Sequence, residues 1–222
     1  VSLPHLLKSA DVMKQVMGFL EAFMKKSATG EAELESRIKG TIVLGTVYQD
    51  VHSIGKDLSK TLMENYGYKV IDLGVQVPLE RFVDTAAEHS AMAIGMSALL
   101  VQTSNHMITV SKLMKDRRME SLPVLIGGAP VNTRHAAYVA LAGEDDLSEM
   151  RENVFYCRSG MDGVNILNQL SNPAQTSRLL TENREKLEEA FRSGQSLEKR
   201  TAELLKTLPK RVVLFQSAPK IL

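Results

Sequence analysis

From Gly40 onward, short runs of apolar and β-branched residues alternate with amphipathic stretches, and this alternation limits what the chain can fold into. Thr41-Ile42-Val43-Leu44-Gly45-Thr46-Val47 is a continuous apolar strand pattern, and further strands are predicted at Tyr68 to Leu73, Met92 to Met96, Val124 to Ile126 and Val154 to Cys157. Between them lie a helix carrying Leu58, Leu62 and Met63 that ends near Gly67, a helix from Leu79 to His89 opened by Pro78, and a helix from Met107 to about Met119. Strands that alternate with helices build a parallel sheet with helices on both faces. The predicted fold is therefore α/β, a doubly wound five-stranded sheet of Rossmann-like or flavodoxin-like type.

In such sheets ligands bind beyond the carboxyl ends of the strands, at the point where the winding reverses. Four loops fall on that edge: Asp50 to Gly55, Ser97 to Leu99, Gly127-Gly128 and Arg158 to Gly160. The first has the spacing D-x-H-x-x-G, with Asp50, His52 and Gly55. An imidazole that ligates a metal is commonly oriented by a carboxylate on its other ring nitrogen, and a separation of two residues lets Asp50 do this for His52. The plain alternative is a loop histidine bonded to a neighbouring aspartate, and a glycine pair that merely turns the chain. A phosphate loop is excluded, because no G-x-G-x-x-G is present and Gly55-Lys56 is followed by Asp57 rather than Ser or Thr.

Charge and cysteine content narrow the function further. Twenty-seven basic residues nearly balance twenty-six acidic ones and aromatic residues are few, so nothing points to nucleic acid or an anionic membrane as partner. The one cysteine, Cys157, forms no internal disulfide and is expected to be a small buried residue. No signal segment or long apolar run is evident, and a cytoplasmic location is expected. His5, His89, His106 and His135 lack carboxylates at ligand spacing and are read as structural or solvated.

Taken in order, Asp50-x-His52-x-x-Gly55, Met96-Ser97-Ala98-Leu99-Leu100 and Ile126-Gly127-Gly128-Ala129-Pro130-Val131 resemble the cobalamin (vitamin B12)-binding corrinoid proteins of methyltransferase systems and the matching domain of methionine synthase. The resemblance covers about residues 2 to 170. It implies cobalamin as cofactor, bound with its dimethylbenzimidazole tail off the cobalt and His52 as the lower axial ligand. Asp50, with Thr103, would tune that ligand. Ser97, Leu99, Gly127 and Gly128 would line the pocket for the tail, and Val51, Ser53, Ile54, Gly55, Ala129 and Pro130 would complete the cofactor-binding set. The implied function is to carry a methyl group between partner methyltransferases, served by a reductive activase. An adenosylcobalamin-dependent mutase subunit and a non-catalytic cobalamin carrier or sensor are the alternatives.

Three regions are expected: residues 1–38 as part of a helical cap, 39–172 as the cobalamin domain and 173–222 as a C-terminal helical extension. Leu6, Ala10, Met13, Met17, Leu20 and Met24 recur at spacings of three and four, the seam of a helix that packs on another. That seam needs burial, so self-association is expected. In the family Val101 usually gives way to a hydroxyl residue, and Asp145 to Glu152 is an acidic insertion. Pro173 to Leu208 is predicted as one or two charged helices broken near Gly194, with Leu180, Leu187 and Phe191 on one packing stripe. Lys210 to Phe215 fits an edge strand or a docking segment.

Overall fold

In a computed structural model the described residues are 38–207, with Val12, Gln15, Val16, Gly18 and Phe19, which are helical. The predicted seam from Leu6 to Met24 and the segment from Lys210 to Phe215 lie outside them. Five strands, β1 (Thr41–Thr46), β2 (Lys69–Asp72), β3 (Ala93–Ser97), β4 (Val124–Gly127) and β5 (Val154–Cys157), form one sheet in the order β2-β1-β3-β4-β5. Every pairing is parallel: Ile42 lies opposite both Val70 and Ala93, and Ile94 opposite Val124. Val47 falls just outside β1, where it makes a lone bridge to Val77.

The helices are α1 (Ile54–Asn65), α2 (Leu79–Glu88), α3 (Val101–Ser104), α4 (His106–Asp116), α5 (Thr133–Ala140), α6 (Gly160–Leu170) and α7 (Pro173–Thr207). Successive strand side chains point to opposite faces, and both faces are covered, so β1 reads as an unbroken apolar run. Val43, Ile94 and Ile126 pack with Phe82, Met107, Val110 and Val139, under α2, α4 and α5. Ile42, Ala93, Leu125 and Phe155 pack on the other face with Met63, Val164 and Leu167, from α1 and α6.

One sequence expectation needs correction. Helix α7 runs unbroken through Gly194. A helix-interior glycine costs about 1 kcal/mol relative to alanine, but Leu187 and Phe191 bury against the core and hold the helix in place. The missing side chain at Gly194 also leaves room for Arg134, whose guanidinium an added Cβ would meet. The segment Asp145 to Glu152 is a short 3-10 turn, Leu147–Glu149, capped by Asp146. The neighbouring Arg151 is part-buried, donating to the carbonyl of Leu122 at 2.8 Å and to Ser111 Oγ at 3.1 Å. This insertion braces the amino-terminal edge of the sheet, the edge away from the histidine loop.

Candidate functional site

The winding of the sheet reverses between β1 and β3, so the loops that follow these two strands part and leave a crevice. Asp50 ends a tight turn after β1, in which its N–H donates to the carbonyl of Val47 at 3.1 Å and Gln49 adopts a left-handed φ of 62°. The Asp50 side chain is fully buried. Its Oδ1 accepts from the main chain and from Nδ1 of His52, at 3.1 and 2.8 Å. Its Oδ2 accepts from the Leu99 and Leu100 amides, at 2.7 and 3.3 Å, and from Thr103 Oγ1 at 2.7 Å. One carboxylate therefore ties the loop after β1 to the loop after β3.

Burial alone would raise the Asp50 carboxyl, but the hydrogen bonds from Thr103, Leu99 and His52 outweigh it and hold the group well below the ordinary carboxylate range. An ionised carboxylate only accepts, so the ring proton of neutral His52 must sit on Nδ1. Nε2 then carries the free lone pair. No described residue bonds Nε2, and the ring is 45% exposed. Thr46 Oγ1 donates to the His52 carbonyl at 3.1 Å and steadies the loop from below.

Around this imidazole the carboxyl edge of the sheet is apolar. Val51 and Ile54 on one loop, and Leu99, Leu100 and Val101 on the other, are all exposed. Exposed apolar side chains gathered on one edge mark a binding surface. Beside it opens a cleft of about 550 Å³ between the sheet and helices α1 and α6. Its lining includes Gly55, Lys56 and Ser59 of α1, Gly95 and Ser97 of β3, the Gly127-Gly128-Ala129 turn, and Tyr156 to Gly160.

The structure thus brings the predicted residues to one edge of the sheet, though they do not all line the cleft. Ser97, Gly55, Gly127, Gly128 and Ala129 line the cleft, whereas Leu99 does not: its amide holds Asp50 and its side chain lies on the exposed apolar edge. Pro130 is not part of the lining either. Ser97 Oγ has no hydrogen-bond partner among the described residues, which leaves it for a ligand in the cleft. Cys157 is only partly buried and lines the cleft, with burial and then the Asp162 charge pushing its thiol up to about 12.

Lys56 adds a buried charge to the site that no sequence spacing marks. Its ammonium is buried at 2% exposure and bonds Asp72 at 2.6 and 2.7 Å and Asp57 at 2.7 Å. Asp72 lies sixteen residues further on, in the neighbouring strand, so no local pattern announces the pair. A signal did exist for the wall made by α6. Ser159 and Asp162 form a capping box, in which the Asp162 amide donates to Ser159 Oγ at 3.3 Å and the Ser159 amide to Asp162 Oδ2 at 3.2 Å.

A family model described as the B12 binding domain matches residues 40–152. The chain belongs to the B12-binding domain family. Over 172 residues it is 38% identical to the methionine synthase of Mycobacterium leprae and 37% identical to that of Mycobacterium tuberculosis. Those matches cover 77% of this chain but only 14% and 13% of the two relatives, so the chain spans a small part of their length. Among solved structures it is similar to the methanol:cobalamin methyltransferase complex of Methanosarcina barkeri, with a TM-score of 0.55, 25% identity, and coverage of 84% of this chain and 63% of that one. A cobalamin-binding protein from Desulfitobacterium hafniense gives a TM-score of 0.51 at 25% identity, covering 75% of this chain and 88% of the other.

The B12-binding domain takes cobalamin as its cofactor, and the residues present fit that ligand. A single imidazole suits a metal whose equatorial ligands come from a macrocycle, and the apolar edge around His52 suits the macrocycle itself. The cleft offers room for a tail. A Cβ added to Gly55 would find no atom within 4 Å, so nothing in the protein's own packing requires glycine there. Gly55→Ala should accordingly leave the apo fold as stable as before, or more stable by up to about 1 kcal/mol because alanine favours the helix. Its cobalamin affinity should fall severalfold in equilibrium dialysis; unchanged affinity would mean that the ligand does not approach Gly55. No helix among the described residues is long and apolar enough to cross a membrane.

Proposed function

We propose that this chain is a methyl-carrying corrinoid protein that holds cobalamin base-off and His-on. The observation that carries this reading is the Asp50–His52 pair, which engages Nδ1 and leaves Nε2 without a partner among the described residues, beside an apolar edge and an open cleft. The displaced dimethylbenzimidazole tail would enter that cleft, where Ser97 Oγ is available to it and the glycine turn leaves room. When bound, cobalamin supplies a cobalt that accepts a methyl group and gives it up.

The protein's own residues do the rest. Asp50 keeps the ring proton on Nδ1, so that Nε2 can ligate, and Thr103 and the Leu99 amide keep Asp50 in place. The buried Asp50 carboxylate would orient the His52 imidazole toward the cofactor and offset positive charge that develops on the ring. The methyl donor and acceptor would be bound by partner methyltransferases, with a reductive activase to restore inactive cofactor and the cytoplasm as the site of action. The methionine synthases and the methanol:cobalamin methyltransferase complex named above support this assignment. Residues 1–38 would form a partial cap, 39–172 the cobalamin unit and 173–222 a helical extension.

The test is transfer of a labelled methyl group. The full chain loaded with cobalamin and mixed with its methyltransferases should exchange the label at a rate that rises with the concentration of each protein. Tight binding without exchange would contradict the carrier role. Radical formation with adenosylcobalamin would contradict it as well, in favour of a mutase subunit.

A further inference from the structure

Two cationic side chains line the cleft, and their circumstances differ. Lys56 is buried and neutralised by Asp57 and Asp72. Arg158 is exposed on the lip, at the carboxyl end of β5, and among the described residues its guanidinium makes neither a hydrogen bond nor an ion pair. The loop that carries it is nevertheless fixed. Its amide donates to Asp162 Oδ2 at 2.9 Å, and the same carboxylate oxygen accepts from the Ser159 amide in the capping box of α6. Asp162 is thereby committed to the main chain. The structure holds one free, positioned cation at the mouth of a cleft whose remaining lining is neutral apart from the Lys56 pair.

We propose that Arg158 binds the anionic phosphodiester of the cobalamin tail and so selects corrinoids with a complete nucleotide tail over those without one. This rests on the reading that the tail enters the cleft. The tail carries a single negative charge on its phosphate, and a planar guanidinium presents paired N–H donors that match two phosphate oxygens. No other described cation along the cleft is free to take this charge. Arg158 acts in recognition and retention: it is a specificity residue, remote in role from the metal and its axial imidazole.

Three ligands separate the contributions: cobalamin, cobinamide, which lacks the nucleotide and its phosphate, and cobinamide phosphate, which keeps a phosphate without the base. Equilibrium dialysis of the full chain should show Arg158→Ala weakening cobalamin and cobinamide phosphate roughly tenfold, as expected for one partly solvated charge-assisted contact, with cobinamide unchanged within twofold. Arg158→Lys should fall between, and the salt dependence of cobalamin binding should flatten in Arg158→Ala. Equal losses for all three ligands would assign Arg158 to packing and overturn the proposal, as would no loss for any. The absorption spectrum of wild-type holoprotein keeps the two claims apart. A tail base still on cobalt removes the underlying reading and the proposal with it, whereas a displaced tail with an indifferent Arg158→Ala removes the proposal alone.

Discussion

Asp50→Ala is expected to be among the most damaging single substitutions in this protein. The carboxylate is fully buried and accepts five hydrogen bonds, from the His52 amide and ring, the Leu99 and Leu100 amides and Thr103. Its removal strands several donors at once, each costing roughly 1–3 kcal/mol when left unmade. Allowing for water entering the space, the loss should be about 3–5 kcal/mol, the range found when one partner is taken from a buried charged contact. Urea unfolding of the apo protein measures it, and a loss below 1 kcal/mol would mean that Asp50 does not tie the two loops together.

Asp50→Asn separates stability from ligation. The amide oxygen is needed against the three donors at Oδ2, which places the NH2 group against the His52 ring and forfeits the bond from the His52 main-chain N–H. That group donates, so the ring must accept at Nδ1 and carry its proton on Nε2. This variant should keep much of the fold yet present an N–H where the proposed ligation needs a lone pair. Nitrogen NMR of the His52 ring should report the exchanged tautomer, and cobalamin affinity should fall at least tenfold. A wild-type tautomer in Asp50→Asn would contradict this account of the pair.

Gly128→Ala should have an effect of similar size by a different route. Gly128 has a φ of +126°, a conformation that side chains rarely adopt, and an added Cβ would overlap the carbonyl oxygen of Ala98. Ala98 belongs to the loop whose next residue, Leu99, holds Asp50. The substitution therefore strains its own turn and also pushes the β3 loop off the carboxylate. A loss of about 3 kcal/mol or more is expected, together with poor cobalamin retention. Gly127→Ala is the control. Its Cβ would lie 3.1 Å from the Cys157 carbonyl, a contact that a small shift relieves, and its loss should be clearly smaller. Equal and small losses at both positions would remove the argument for a close approach of the two loops.

These residues also show what can be read from a sequence. The succession of strands along the chain and the loop positions followed from short apolar runs that suit a sheet covered on both faces, and those loops determine where Asp50, His52, Ser97 and Gly128 come together. Helix α6 was harder to see, because Gly160 and Gly163 depress helix propensity. The structure supplies the reason for them: Cβ atoms there would come within 2.8 Å of Leu62 and 3.0 Å of Met63, so the glycines let α6 press against α1 and shape the cleft wall. Tertiary packing likewise overrode the expected break at Gly194. The Lys56–Asp72 pair and the commitment of the Leu99 amide to Asp50 depend on contacts between distant segments, and no local pattern encodes them.

Ligation of the metal by His52 is the claim on which the rest depends, and electron paramagnetic resonance tests it directly. The full chain labelled with nitrogen-15 is loaded with unlabelled cobalamin and reduced to paramagnetic cobalt(II). A nitrogen on the axis splits each cobalt hyperfine line, into a triplet for the common isotope and a doublet for nitrogen-15. The account predicts a triplet in unlabelled protein that becomes a doublet on labelling, and neither in His52→Ala. A triplet that persists in labelled protein would show the cofactor's own base on the metal and would contradict it.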